Sequence, residues 1–244
     1  MKKTLIALMA MAGIAVGADL TLTTGIAYTK NGETTIVDGY TNPNNADIGY
    51  ASTYWASDNG GGSGSVNRAS LDFTITVKDL YGASAIGGDD TISLTSVDIA
   101  VTGSGWCQDE GRTITLSTGS YSYTAELQNV FSGPKNGNGN SEGHLTLTLT
   151  DWIITKDAVL SVSIKPAAGK ATDNLSVAVV DVWGKNGATA TISGVSQVDM
   201  TPAWGKEAPL VKLSVSTTPA VPEPATATLS LLALAGLCAR RRRK

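Results

Sequence analysis

A strict alternation of apolar and hydroxyl-bearing residues constrains the fold of this chain more than any other feature. Leu145, Leu147 and Leu149 are separated by threonines. The same period of two recurs in Leu71–Val77, Leu160–Ile164, Leu175–Val179 and Val211–Val215. This period puts apolar residues on one face of a strand and Thr or Ser on the other, and the β-branched threonine favours extended backbone. The pattern predicts an all-β body.

Turn residues and one change of phase predict how the strands are joined. Asn31-Gly32 and Asn186-Gly187 predict hairpins, because both residue types tolerate positive φ. The apolar phase shifts by one residue after Leu94, which predicts a β-bulge near Thr95-Ser96. About 200 residues of such strands suit a single two-sheet sandwich or jelly roll. Two smaller sandwiches divided near Gly133–Gly143 are the alternative.

The first eighteen residues have the order of a secretory signal peptide. Lys2 and Lys3 precede an apolar stretch, Leu5–Val16, and small residues end at Ala18. This order predicts export and a mature chain that begins at Asp19. An uncleaved N-terminal membrane helix is the alternative.

The last residues combine an uncharged stretch with a basic end. Ala225–Ala239 contains no charged residue, and as a helix its fifteen residues would span about 22 Å. That is short against a hydrocarbon core of about 30 Å, and it predicts a short transmembrane helix. A basic cluster follows and fits the cytoplasmic side; it consists of Arg240, Arg241, Arg242, Arg243 and Lys244. A surface helix with a solvated charged end is the alternative.

The motif Pro222-Glu223-Pro224, followed by the apolar stretch and the Arg cluster, resembles the PEP-CTERM sorting signal over about residues 221–244. The resemblance implies recognition by an exosortase-type membrane protease-transpeptidase that cuts near the motif. It also implies a setting in which bacteria make extracellular polysaccharide. The expected organisation is a signal peptide at 1–18, a β-sandwich body at 19–219 and a sorting signal at 220–244.

This organisation predicts where the protein goes. The secretion machinery exports the body from the cytoplasm, and the C-terminal helix anchors it in the inner membrane, transiently or permanently. Cutting of the tail would release the body to the cell surface or the extracellular matrix.

Charge excludes one class of partner. The two ends hold seven of the basic residues but only Glu223 among the acidic ones, so the body carries a net charge of about −9. Nucleic-acid binding needs clustered Lys and Arg, and the prediction is no nucleic-acid partner. An acidic body suits a surface protein that binds neutral ligands or cations.

The residues that usually carry catalysis are scarce. His144 is the single histidine and Cys107 the single body cysteine, which excludes a Cys/His metal site. A Ser-His-Asp triad would need His144, and no nucleophile elbow is present. We therefore assign no catalytic residue, metal ligand or cofactor. Asp89-Asp90 and Asp109-Glu110 are interpreted as exposed charge, with structural calcium and a glycan-active hydrolase or lyase using loop carboxylates as the alternatives.

Four tryptophans suggest a ligand. They sit beside Gly, Ser, Asn or Lys rather than inside apolar stretches; they are Trp55, Trp106, Trp183 and Trp204. Exposed indoles stack on the apolar faces of sugars, whereas the alternative is that these rings cover the ends of the core. The predicted function is an exported, surface-targeted, non-enzymatic protein with a structural or adhesive role that binds polysaccharide.

Overall fold

The computed structural model describes residues 17–41, 44–54, 70–103, 112–127, 141–166, 178–198 and 207–219. Within these ranges the chain forms fourteen strands and two single-turn 3-10 helices, Val77–Asp79 and Ala83–Ala85. The strands are β1 (Ala18–Thr23), β2 (Gly25–Lys30), β3 (Glu33–Asp38), β4 (Ile48–Tyr54), β5 (Leu71–Thr76), β6 (Thr91–Gly103), β7 (Arg112–Ser117), β8 (Ser122–Leu127), β9 (Ser141–Ile154), β10 (Val159–Pro166), β11 (Ala178–Gly184), β12 (Thr189–Ser193), β13 (Glu207–Pro209) and β14 (Val211–Thr218). The all-β prediction is confirmed.

The strands form four antiparallel sheets. Two sheets have four strands each, in the orders β1-β14-β6-β9 and β5-β10-β7-β8. Two have three strands each, in the orders β13-β11-β4 and β12-β2-β3. The predicted signal peptide, apart from its last two residues, and the predicted transmembrane helix lie outside the described residues.

The larger core is shared by the two four-stranded sheets. Their buried side chains belong to one cluster, to which β9 contributes Leu145, Leu147 and Leu149 and β10 contributes Leu160, Val162 and Ile164. All six are at most 6% exposed. Burying one such side chain stabilises a fold by about 1.5–3 kcal/mol. The period of two that predicted these strands is therefore the pattern that builds the core.

The bulge predicted near Thr95-Ser96 is confirmed. The pairing of β6 with β9 shifts between Leu94 and Ser96, and the Thr95 hydroxyl donates a hydrogen bond of 3.0 Å to the carbonyl of Ser214 on β14. Strand β9 changes phase at the same level, where Asp151 adopts a positive φ of 60°. Both strands thereby keep their apolar residues on the core side.

A second, smaller core joins the two three-stranded sheets. Its buried members are Ile26, Ile48, Val180, Val182, Ala190 and Leu210. Ala100 of β6 and Tyr40 pack against this cluster, which therefore meets the four-stranded sheet on the face opposite the larger core. Strands from both sides of residues 133–143 build it, so the two cores do not follow a division of the chain at that loop.

The two Asn-Gly turns have different outcomes. Asn31 and Gly32, with φ of 53° and 83°, close the predicted hairpin between β2 and β3. Asn186 and Gly187, with φ of 51° and 80°, also form a tight turn. The hairpin predicted there is wrong, because β11 already pairs with β4 on one edge and β13 on the other. Strand β12 therefore pairs with β2 instead.

The predicted phase of β11, with odd-numbered residues facing the core, is wrong where the burial of its side chains is described. Leu175 and Val177 lie outside the described residues. The buried residues of β11 are Val180 and Val182, which the predicted set did not include.

Candidate functional site

Trp183 lies on the outer face of the three-stranded sheet β13-β11-β4. Its neighbour Val182 points into the second core, so alternation along β11 turns Trp183 outward. The residue is 46% exposed. Because so large an apolar ring loses much of its usual burial here, Trp183 is the strongest candidate for ligand contact among the described tryptophans.

The indole of Trp183 rests on a glycine. Gly49 of β4 is the cross-strand partner of Trp183. A Cβ atom placed on Gly49 would lie 2.0 Å from Cε2 and 2.1 Å from Nε1 of the indole. No other residue type leaves this space, so one ring face is seated on the sheet while the opposite face is open to solvent. A fixed aromatic ring offers contact area at low conformational-entropy cost.

A carboxylate lies on the same face as this ring. Asp181 is two residues before Trp183 in β11, and alternation puts both on one side of the sheet. Partial burial raises the pKa of the Asp181 carboxyl. No donor among the described residues hydrogen-bonds to this carboxylate. Together, Trp183, Gly49 and Asp181 form what we call the indole platform.

Hydrogen bonds brace the neighbouring end of β11. The Lys185 N–H donates to the Asp47 carbonyl at 2.8 Å, and Asn186 Nδ2 donates to the Ala46 carbonyl at 2.8 Å. The Asp47 carboxylate in turn pairs with Lys30 Nζ at 2.6 Å. These contacts tie β11 to the chain that enters β4 and to the end of β2. The two strands that carry Trp183 and Gly49 are thereby held in one register.

A second cluster of polar side chains lies on the outer face of the sheet β1-β14-β6-β9. Asp98 of β6 is 7% exposed and accepts three hydrogen bonds there. The Tyr40 hydroxyl donates to Asp98 Oδ1 at 2.8 Å, His144 Nδ1 lies 2.9 Å from the same oxygen, and the Thr146 hydroxyl donates to Oδ2 at 2.9 Å. We call these four residues the Asp98 network.

The network shifts the pKa of two of its members. Burial alone would raise the pKa of Asp98, but the hydrogen bonds from His144, Tyr40 and Thr146 outweigh it and hold the pKa below its usual value. Burial and the bond to Asp98 raise the pKa of the Tyr40 phenol. Asp98 is therefore ionised and Tyr40 neutral at pH 7. An ionised carboxylate only accepts, so Nδ1 of His144 carries the proton in this contact.

The Asp98 network connects the second core to the four-stranded sheet β1-β14-β6-β9. Tyr40 belongs to the second cluster, whereas Asp98, His144 and Thr146 belong to the four-stranded sheet. Lys212 Nζ lies 5.4 Å above the Tyr40 ring as a cation–π contact. Within the described ranges, no serine hydroxyl or thiol hydrogen-bonds to His144.

The other predicted site residues divide into described and undescribed positions. Trp55, Trp106, Trp204, Asp109 and Glu110 lie outside the described residues, as do Cys107 and the sorting motif Pro222-Glu223-Pro224. Asp90 lies in a turn, where its Oδ2 accepts the Gly87 N–H at 2.8 Å. In the described part of the chain, no three His, Cys, Asp or Glu side chains come together as a metal site would require.

Sequence reasoning missed Tyr40, Asp98 and Gly49. Asp98 was indicated by one signal, since it is the only charged residue in the apolar stretch Val97–Val101. The sequence does not show that the chain after β3 covers the face on which Asp98 lies, so this signal was not enough to assign it a role. Gly49 carried no signal, because its role depends on the register between β4 and β11.

Comparison with known proteins bears on the C-terminal segment. A family model described as the PEP-CTERM protein-sorting motif matches residues 220–244. The chain therefore carries this motif, as its resemblance predicted. No curated protein matches the chain.

The motif bears on where the protein is sorted and on which enzyme recognises it. It implies export and membrane-associated sorting, with recognition by an exosortase-type membrane enzyme. Among the described residues, no helix is long and apolar enough to cross a membrane. The predicted membrane helix falls within 220–244, beyond the described ranges.

Proposed function

We propose that the body is a surface-displayed, non-enzymatic β-sandwich with an adhesive role, which binds neutral extracellular polysaccharide at the indole platform. The single observation that carries the proposal is the seated, exposed ring of Trp183 over Gly49. The flat apolar face of a pyranose ring stacks on such an indole, and the open face of the ring is wide enough for one sugar residue.

Asp181 would orient the stacked sugar by accepting hydrogen bonds from its hydroxyl groups. A sugar ring on the indole carries hydroxyl groups at its rim, and a carboxylate without a donor accepts hydrogen bonds from them. Hydrogen bonds to a charged acceptor contribute about 1.5–3 kcal/mol. The ligand class follows from charge, because a body at about −9 disfavours anionic polysaccharides.

Export and sorting fit this role. A body sorted by a PEP-CTERM motif is exported, and export gives it access to extracellular polysaccharide. The sandwich assignment is supported by the buried cluster that the two four-stranded sheets share. The alternative is a glycan-active enzyme. Such an enzyme would release products from the polysaccharide, whereas a binding protein would not.

Affinity electrophoresis of the full chain in mild detergent tests the proposal, with hydroxyethylcellulose as the neutral glucan and alginate as the anionic comparison. We expect wild type to be retarded by the glucan and not by alginate. Trp183→Ala should weaken retention about tenfold, which corresponds to about 1.4 kcal/mol.

Ile153→Ala is the matched control, because Ile153 is an apolar strand residue that is 48% exposed on another sheet. It should leave retention unchanged. Wild-type retention of Trp183→Ala would refute the platform. Release of reducing ends by wild type, abolished in Asp181→Asn, would refute the non-enzymatic role.

A further inference from the structure

The sheet β5-β10-β7-β8 carries a groove on its outer face that the indole platform does not use. Its volume is about 340 Å³, near the lower end of the range of about 300–1,000 Å³ for ligand sites. Six of its nine described lining residues bear hydroxyl groups; they are Thr74, Thr115, Ser117, Ser161, Ser163 and Ser196. Three adjacent strands supply the floor, and the chain after β12 supplies Ser196.

Ser196 forms one side of the groove because it is bonded to the edge of β5. The Thr74 N–H donates to the Ser196 hydroxyl oxygen at 2.8 Å, and the Ser196 N–H donates to the Thr74 carbonyl at 2.8 Å. The Ser196 hydroxyl accepts in this contact and keeps its own proton for another partner. The edge of β5 is thereby covered, and the polar surface is widened by one residue.

The groove is more buried than the outward face of β9, although the outward residues Ser214 and Ser216 of β14 are half-buried too. Five of the six hydroxyl-bearing residues are half-buried, and only Ser161 is exposed. On β9 the corresponding outward threonines Thr146, Thr148 and Thr150 are all exposed. The hydroxyls of the groove are therefore recessed, as the floor of a binding site is.

The charge of the lining selects the ligand. Among the described residues, Asp72 is the one ionisable residue that lines the groove, and it accepts a hydrogen bond of 2.5 Å from Ser70. No described Lys or Arg lines the groove, and the Asp72 carboxylate would repel an anionic ligand. Apolar ligands would displace water from these hydroxyls without replacing its hydrogen bonds. A neutral, hydroxyl-rich chain satisfies both conditions.

The spacing of the floor suits such a chain. Hydroxyls repeat about every 6.7 Å along a strand and about every 4.8 Å across strands. Each Ser or Thr both donates and accepts, so the rows can pair with hydroxyls spread along a glycan chain. Val159, one step beyond Ser161 in the same row, is 47% exposed and offers an apolar contact at the rim.

We propose that the groove over β5, β10 and β7 is a second binding site for a neutral glycan, separate from the indole platform on β11. This inference rests on the proposed function, since both sites would take the same ligand class. Two sites on different sheets would let one molecule hold two glycan chains, or one chain at two points, and would raise its retention above that of either site.

Affinity electrophoresis of the full chain with hydroxyethylcellulose separates the two sites. We expect Ser161→Ala/Ser163→Ala to weaken retention about three- to fivefold, and Trp183→Ala about tenfold. The triple variant that combines them should lose retention altogether. Ser93→Ala/Ser216→Ala is the matched control, because Ser93 and Ser216 are cross-strand partners on the other four-stranded sheet. This pair of substitutions should leave retention unchanged.

Each outcome has a separate meaning. A triple variant that is retained as well as Trp183→Ala would overturn the groove and leave the platform intact. Loss of all retention in Ser161→Ala/Ser163→Ala, with wild-type retention in Trp183→Ala, would support the groove and overturn the platform. Ser163→Phe, which fills the floor with a ring, should reproduce the loss seen in the serine-to-alanine variant, and unchanged melting temperatures should accompany both.

Discussion

Two aspartates on outward sheet faces have opposite surroundings. Asp98 accepts hydrogen bonds from Tyr40, His144 and Thr146, and its pKa is lowered. Asp181 lies beside the exposed ring of Trp183, has no donor among the described residues, and its pKa is raised by burial. A carboxylate whose acceptor capacity is filled by the fold stabilises the fold. A carboxylate that is left with open acceptors beside an exposed ring is available to a ligand.

The largest expected effect comes from removing the filled carboxylate. Asp98→Ala leaves the Tyr40 and Thr146 hydroxyls and the His144 N–H without their acceptor, in a position that is 7% exposed. We expect the free energy of unfolding to fall by about 3 kcal/mol. Urea denaturation measures this loss.

Retention on hydroxyethylcellulose, measured below the melting temperature, should be unchanged in Asp98→Ala. A variant as stable as wild type would show that the network contributes little to the fold. If Asp98→Ala folds but is no longer retained, the ligand binds at the Asp98 network and not at the indole platform.

The next largest effect is expected at the seat of the indole. Gly49→Ala puts a Cβ atom where Cε2 and Nε1 of Trp183 now lie, so the ring must leave its place. We expect about a tenfold weaker retention on the glucan, although Trp183 itself is kept. Gly88→Ala is the matched control, because a Cβ atom on Gly88 meets nothing within 4 Å. Unchanged retention in Gly49→Ala would show that ligand binding does not depend on the position of the Trp183 ring over Gly49.

The pH dependence of the unfolding free energy should reveal the contribution of the ionised Asp98 carboxylate. Its folded-state pKa is lowered, so the stabilisation that it contributes is present above the unfolded-state value of about 3.9 and is lost as pH falls through the folded-state value. The difference in unfolding free energy between wild type and Asp98→Asn should therefore be largest at neutral pH and shrink on acidification below about pH 4. A difference that is constant between pH 7 and pH 3 would contradict this account.

The smallest expected effect is at Asp181. Its pKa is raised in the folded state, so the ionised carboxyl opposes folding, and Asp181→Asn should be at least as stable as wild type at pH 7. Any gain should shrink as the carboxyl protonates in wild type at acid pH. Retention on the glucan should weaken about threefold, because an amide accepts hydrogen bonds less strongly than a carboxylate. A loss of stability at pH 7 would show that Asp181 also serves the fold.

Much of the fold follows from local patterns. The alternation in Leu145–Leu149 predicts a strand with its core face, and the change of phase after Leu94 predicts the bulge at Thr95. Both depend only on which side of a strand each residue faces. The hairpin predicted at Asn186-Gly187 failed because pairing is decided by which strand edges are free, and β4 and β13 occupy both edges of β11.

The candidate sites depend on partners that are distant in sequence. Trp183 was predicted as a ligand residue from its polar neighbours, but its seat on Gly49 requires the register between β11 and β4. The role of Asp98 requires Tyr40, which the chain after β3 brings within hydrogen-bonding distance. The groove joins residues of β5, β7, β10 and the chain after β12, and no single stretch of sequence predicts it.

The most direct test of the account is an NMR titration of the indole N–H resonances with cellotetraose. The chain has five tryptophans, and the Trp183 resonance is identified by its absence in Trp183→Phe. We predict that this resonance shifts in a saturable manner and that it loses this response in Gly49→Ala. A Trp183 resonance that stays unmoved while the full chain is still retained on hydroxyethylcellulose would contradict the indole platform.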